Sequence, residues 1–130
     1  MTVKGSCHCG AVTWEFDGTP DSVTACNCTV CHRYGALWAY DWLDEGIRIS
    51  GETTPYIRGH RMLSFNFCNT CGNVAYWKGL LEEEGRIRIA VNMRLTDPGP
   101  IADVPVRHFE GLETFQDQPV DGRCVSDYWY

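Results

Sequence analysis

The sequence predicts a mainly β fold with little helix, whose clustered cysteines hold zinc. Three observations lead there. Short alternating apolar runs are separated by Gly, Pro, Asp and Asn. No window of about a dozen residues carries a convincing apolar repeat at helical spacing. Eight cysteines fall in 130 residues, and seven of them are clustered. At this length the chain is expected to form one domain, residues 1–130, with room for a single core.

The first run is Val12, Trp14 and Phe16, interleaved with Thr13 and Glu15. Ile47 and Ile49 flank Arg48; Leu63, Phe65 and Phe67 flank Ser64 and Asn66; Ile87, Ile89 and Val91 alternate with Arg88 and Ala90. Each run reads as a strand with one face inward and the other outward. Gly18-Thr19-Pro20, Ser50-Gly51-Glu52, Gly79 and Asp97-Pro98-Gly99-Pro100 supply turn chemistry between them. A short turn of helix is expected after Cys28, and another over Leu80 to Gly85. No internal repeat or low-complexity tract divides the chain.

The formal net charge is -6 and no Lys/Arg-rich run occurs, which argues against a nucleic-acid partner. Met1 to Gly10 contains no apolar stretch like the core of a signal peptide. No segment approaches the roughly 20 apolar residues that span a bilayer. The expected compartment is therefore the cytoplasm, where thiols stay reduced and clustered cysteines act as metal ligands.

The clusters are Cys7-His8-Cys9-Gly10, Cys26-Asn27-Cys28-Thr29-Val30-Cys31 and Cys68-Asn69-Thr70-Cys71-Gly72, with Cys124 alone. Tetrahedral zinc takes four ligands, and two cysteines separated by two residues in a turn present both sulfurs to one ion. Cys68 and Cys71 form such a knuckle. Cys7 and Cys9, spaced i and i+2, would share a face if they lie in a strand. Together the two pairs make a closed structural site of four thiolates. Cys26, Cys28 and Cys31 surround one face of a second ion and leave its fourth position open, as catalytic zinc sites do. Three thiolates against a dication leave a net charge of about −1, which suits delivery of a bound thiolate better than generation of hydroxide.

Alternatives stand beside these assignments: a disulfide network for the two pairs, and for the triplet a second structural site completed by His32, His8 or Cys124. Cys124 reads as an ordinary thiol and His8 as a solvated neighbour of two ligands. His60 and His108 have no ligand spacing and are assigned nothing. The aromatic tail Tyr128-Trp129-Tyr130 is expected to pack on the domain or on a partner subunit.

Cys-x-Cys-Gly near the start, Cys-x-Cys-x-x-Cys about twenty residues on, and Phe67-Cys68-x-x-Cys71-Gly72 resemble the glutathione-dependent formaldehyde-activating enzymes and the related centromere protein V (GFA/CENP-V) domains. Gly35-Ala36-Leu37-Trp38-Ala39-Tyr40 and Arg107-His108-Phe109-Glu110-Gly111 add to the likeness, which spans residues 4 to 115. The resemblance implies small antiparallel β-sheets stapled by zinc, as in the Rab-binding zinc chaperones. It implies a structural zinc on Cys7, Cys9, Cys68 and Cys71 and a second zinc on Cys26, Cys28 and Cys31, two ions per chain. It also implies a reaction joining formaldehyde to the thiol of glutathione, a carbon–sulfur lyase step in reverse, on a small-molecule thiol or aldehyde adduct.

Trp38, Tyr40 and Trp42 are then candidates to line the substrate site. Arg33 and Arg61 are candidate carboxylate holders for glutathione, whereas Phe65, Phe67 and Trp77 are expected in the core. The competing function is a non-catalytic zinc scaffold or redox-responsive module, because partly exposed thiolates oxidise readily.

Overall fold

The structure, a computed structural model, describes residues 1–129. In chain order its elements are β1 (Thr2–Ser6), β2 (Thr13–Asp17), β3 (Val23–Cys26), α1 (Thr29–Tyr34), β4 (Trp38–Trp42), β5 (Ile47–Ser50), β6 (Thr53–Ile57), β7 (Leu63–Cys68), β8 (Val74–Gly79), β9 (Arg88–Asn92), β10 (Val106–Glu110) and β11 (Gln116–Asp117). Single 3₁₀ turns occupy Met93–Leu95, Gly99–Ile101 and Val125–Tyr128. The mainly β reading therefore holds, and α1 is the short helix expected after Cys28.

Two sheets result: a three-stranded sheet in the order β1-β2-β5, and an eight-stranded sheet in the order β11-β10-β3-β4-β9-β8-β7-β6. Pairing is antiparallel except between β3 and β10, which run parallel and set Cys26 opposite Phe109. That one parallel pair departs from the all-antiparallel expectation. It brings the end of β10 beside the cysteine triplet.

The main core collects Trp14, Phe16 and Ile47 of the small sheet with Val23, Ala39, Ile89 and Val91 of the large one. Trp38, Phe65 and Ala90 project from the other face of the large sheet and pack with Val30 and Cys31 of α1. Burying side chains of this size contributes on the order of 1.5–3 kcal/mol each. The half-buried alternation expected for β7 and β9 is thus replaced by strands covered on both faces. Ser64 and Asn66 are buried as well, and Asn66 Nδ2 donates to Ser64 O (2.9 Å) and Ser64 Oγ (3.0 Å).

The second expected helix, Leu80 to Gly85, is instead a tight turn. Glu83 and Arg86 exchange both backbone hydrogen bonds (2.8 and 3.1 Å) around Glu84 and Gly85, whose φ values are 55° and 78°. Two successive left-handed residues define a hairpin turn, and that backbone cannot continue a helix. In the tail, Tyr128 and Trp129 pack against the main core, and Tyr130 lies outside the described residues. No helix among the described residues is long and apolar enough to cross a membrane.

Candidate metal centres and an adjoining cavity

The sulfurs of Cys7, Cys9, Cys68 and Cys71 lie within 4.8 Å of one another. Cys7 and Cys9 were expected to meet on a strand face. They sit instead in the turn between β1 and β2, where Gly10 N–H donates to Cys7 O (3.1 Å) with φ 84° at the glycine. The β7–β8 turn has the same form: Gly72 N–H donates to Cys68 O (3.0 Å) at φ 80°. Glycine adopts this left-handed conformation without steric cost, which lets the turn close tightly behind its sulfurs.

Cys7 Sγ is 3.7 Å from Cys9 Sγ, and Cys9 Sγ is 3.5 Å from Cys68 Sγ. A tetrahedron with Zn–S near 2.3 Å has edges of about 3.8 Å, so the cluster has the size of a four-thiolate zinc site. All eight cysteines are free of disulfides. Backbone N–H groups point at the sulfurs: Val12 to Cys7 (3.2 Å), and Thr70 and Cys71 to Cys68 (3.3 and 3.5 Å). Backbone donation from Cys71 and Thr70 holds Cys68 below the ordinary thiol range, and donation involving Asn73 and Cys9 brings Cys71 down to about 6. Asn73 Oδ1 accepts from His8 N–H (2.7 Å), so this side chain clamps one turn to the other. The sequence reading missed Asn73. His8 itself is exposed and contributes no side-chain ligand.

The second cluster, Cys26, Cys28 and Cys31, joins the end of β3 to α1. Its sulfurs also lie within 4.8 Å of one another, and no fourth His, Cys, Asp or Glu completes the group among the described residues. Cys28 caps the helix, its Sγ accepting from Cys31 N–H (3.3 Å). Cys28 N–H donates to Cys26 Sγ (3.5 Å), and the indole N–H of Trp38 donates to Cys31 Sγ (3.3 Å). Hydrogen bonding from Cys31 brings Cys26 down to about 6, while the same contact, reinforced by burial, pushes Cys31 up. Donors aimed at each sulfur favour the thiolate form that a metal requires.

The triplet opens onto a cavity of about 300 Å³. Trp38, Phe65, Trp77 and Phe109 form its walls, and Arg58, His60, Met62 and Phe115 stand around its mouth. Immediately after β10, Gly111 lies directly against Cys26 and Cys28. Its N–H donates to Asn27 Oδ1 (2.7 Å), and Asn27 Nδ2 donates to Glu110 Oε1 (3.1 Å). Glu110 also accepts from the N–H groups of Leu112, Glu113 and Thr114. Those backbone donors, Thr114 and Glu113 foremost, hold its carboxyl at about 2. The carboxylate therefore serves as the hub of a capping loop over the triplet.

Several candidate residues lie elsewhere. Arg33 points back along α1, donating to Thr29 O (2.8 Å), and lines a neighbouring groove. Arg61, in a left-handed conformation (φ 57°), is exposed and does not line the cavity. Trp42 stacks under Arg86, 4.0 Å from the ring centroid, away from the triplet. Trp38 and Tyr40 do line the cavity, but so do Phe65 and Trp77, which were expected only in the core. Arg58 and His60 are the cationic and imidazole groups present, and spacing gave no signal for either. Cys124 and His32 join neither cluster.

Residues 2–108 match the sequence profile described as "Glutathione-dependent formaldehyde-activating enzyme". The chain belongs to the glutathione-dependent formaldehyde-activating enzyme family. Both cysteine clusters fall inside the matched span, whereas Gly111 and Phe115 of the capping loop fall beyond it. A crystal structure of a Rhodobacter sphaeroides protein has the same fold, with TM-score 0.58 and 29% identity over 72% of this chain and 87% of that one. No curated protein matches the chain. Members of this family are linked by name to glutathione and formaldehyde, and both cysteine clusters here could hold zinc.

Proposed function

We propose that the chain is a zinc-dependent carbon–sulfur lyase that makes and breaks the adduct of a small-molecule thiol with an aldehyde, in the manner of S-hydroxymethylglutathione. The observation that carries this reading is the open triplet: three sulfurs with no fourth protein ligand among the described residues, facing a walled cavity. Cys7, Cys9, Cys68 and Cys71 would hold a structural zinc, and Cys26, Cys28 and Cys31 a second one. Bound there, zinc supplies positive charge that favours thiolate over thiol and steadies negative charge on the adduct oxygen.

In the breakdown direction the adduct hydroxyl gives up its proton, the C=O bond forms, and the C–S electron pair leaves with sulfur, which is reprotonated. The chain's residues orient and shield this exchange. Trp38 Nε1 and the N–H groups of Cys28 and Cys31 fix the three sulfurs. Arg58, itself tied to Thr29 Oγ1 (3.3 Å), offers a guanidinium for a substrate carboxylate. His60 at the mouth is the group able to hold the hydroxyl proton on a ring nitrogen. Phe65, Trp77 and Phe109 exclude water from the reacting carbon. A reducing cytoplasm, and no nucleic-acid partner, belong to the same reading.

The test is two-dimensional exchange NMR of formaldehyde with glutathione, run on protein whose zinc content is counted by native mass spectrometry. Two zincs per chain with accelerated adduct exchange, lost in Cys28→Ser, support the lyase. Two zincs without acceleration for any thiol–aldehyde pair would replace it with the non-catalytic, redox-responsive module.

A further inference from the structure

The triplet cavity, of about 300 Å³, is lined mostly by apolar and aromatic side chains. Its walls carry Trp38, Phe65, Trp77 and Phe109, and the apolar surface continues outward past the mouth. Met62 is 54% exposed there and Phe115 64%, on two separate loops. Large apolar side chains left exposed around a concave site mark a surface that a ligand covers.

Apart from the triplet's own sulfurs, the ionisable groups of the lining are few: Arg58, His60 and the Tyr40 phenol. Among the described residues Arg58 is the only permanent cation lining the cavity, and no Asp or Glu lines it. The nearest carboxylate, Glu110, already accepts from Asn27, Leu112, Glu113 and Thr114. A ligand ammonium would therefore be desolvated there without a partner, and a second carboxylate would have no second guanidinium. Glutathione carries both of those extra charges. Arg33 lines a neighbouring groove, which shares Val30 and Arg58 with the triplet cavity, and is not among the residues lining the cavity itself.

We infer that the preferred ligand of this site is an aryl or similarly bulky apolar thiol–aldehyde adduct with one carboxylate, seated on Arg58, rather than the formaldehyde adduct of glutathione. The inference rests on the reading above of this cavity as the substrate site. Gly111 and Phe115 of the capping loop, which line this cavity, lie beyond the residues 2–108 matched to the family profile.

Binding of two unreactive thioethers, 3-(benzylthio)propionate and S-methylglutathione, to the zinc-loaded protein tests it, read through the fluorescence of Trp38 and Trp77. The aryl thioether is expected to bind at least tenfold more tightly, and Arg58→Gln to weaken it about tenfold while leaving the protein folded by circular dichroism. Equal or tighter binding of S-methylglutathione, or binding indifferent to both Arg58→Gln and Phe115→Ala, overturns the inference. Adduct turnover is measured in parallel. Turnover without the binding preference sinks this inference and spares the lyase; the preference without turnover of any adduct does the reverse.

Discussion

A Cβ built on Gly111 would stand 2.8 Å from Cys26 Sγ and 3.0 Å from Cys28 Cβ. The capping loop thus touches the triplet at a point that admits no side chain. Gly111→Ala should displace the loop or the two cysteines and weaken metal retention at the triplet about 10–100-fold, the range seen when groups supporting a metal site are lost. The four-thiolate site is remote from the loop and should keep its ion. Native mass spectrometry during a chelator titration checks this: loss of both ions together would contradict it.

The two clusters should differ in what they contribute to folding. Structural zinc in small domains contributes on the order of 10–16 kcal/mol, comparable to the whole stability of a typical domain, about 5–15 kcal/mol. Cys68→Ser is expected to leave little folded protein, because Cys68 joins the β7–β8 turn to the β1–β2 turn through the main core. Cys28→Ser should yield a folded protein with one zinc. Thermal unfolding and zinc content of both variants decide it, and equal collapse would mean that the ligands are wrongly divided.

Trp38→Phe keeps an aromatic ring in the wall but removes the N–H that reaches Cys31 Sγ. A hydrogen bond to a charged acceptor is worth about 1.5–3 kcal/mol, so the triplet should surrender its metal roughly tenfold faster to a chelator. It should also react faster with a thiol reagent. Unchanged release kinetics would reduce Trp38 to a packing residue.

Glu110 is held at about 2 by the N–H groups of Thr114 and Glu113, below its ordinary 4.5. For a carboxylate lowered on folding, the contribution to order is complete above the ordinary value and is lost as pH falls through the folded one. Protection of the 112–114 amides, corrected for intrinsic exchange, should therefore stay flat between about pH 8 and 5. Glu110→Gln should lower that protection at every pH in the window. Hydrogen exchange followed by NMR reads both, and a midpoint near neutrality would contradict the assignment.

The sequence determined which cysteines cluster. Cysteine spacings and the glycines after Cys9 and Cys71 encode which sulfurs meet, because a knuckle is closed by the backbone of a few consecutive residues. Alternation around Trp14, Phe65 and Ile89 encoded the strands for the same local reason. It left open which strands are covered on both sides, since that depends on what α1 and the small sheet pack against. It also misread Leu80 to Gly85, where left-handed backbone at Glu84 and Gly85 overrides composition.

Tertiary structure alone decided the cavity. Arg58 and His60 reach the triplet through the β6–β7 turn, and Glu110, Gly111 and Phe115 reach it through the parallel pairing of β10 with β3. Those contacts join positions about 30 to 85 residues apart, as from Cys28 to Arg58 or Cys26 to Gly111. No local period or motif spacing records such a distance. It is fixed by strand order in the large sheet, and strand order follows from which faces can be buried together.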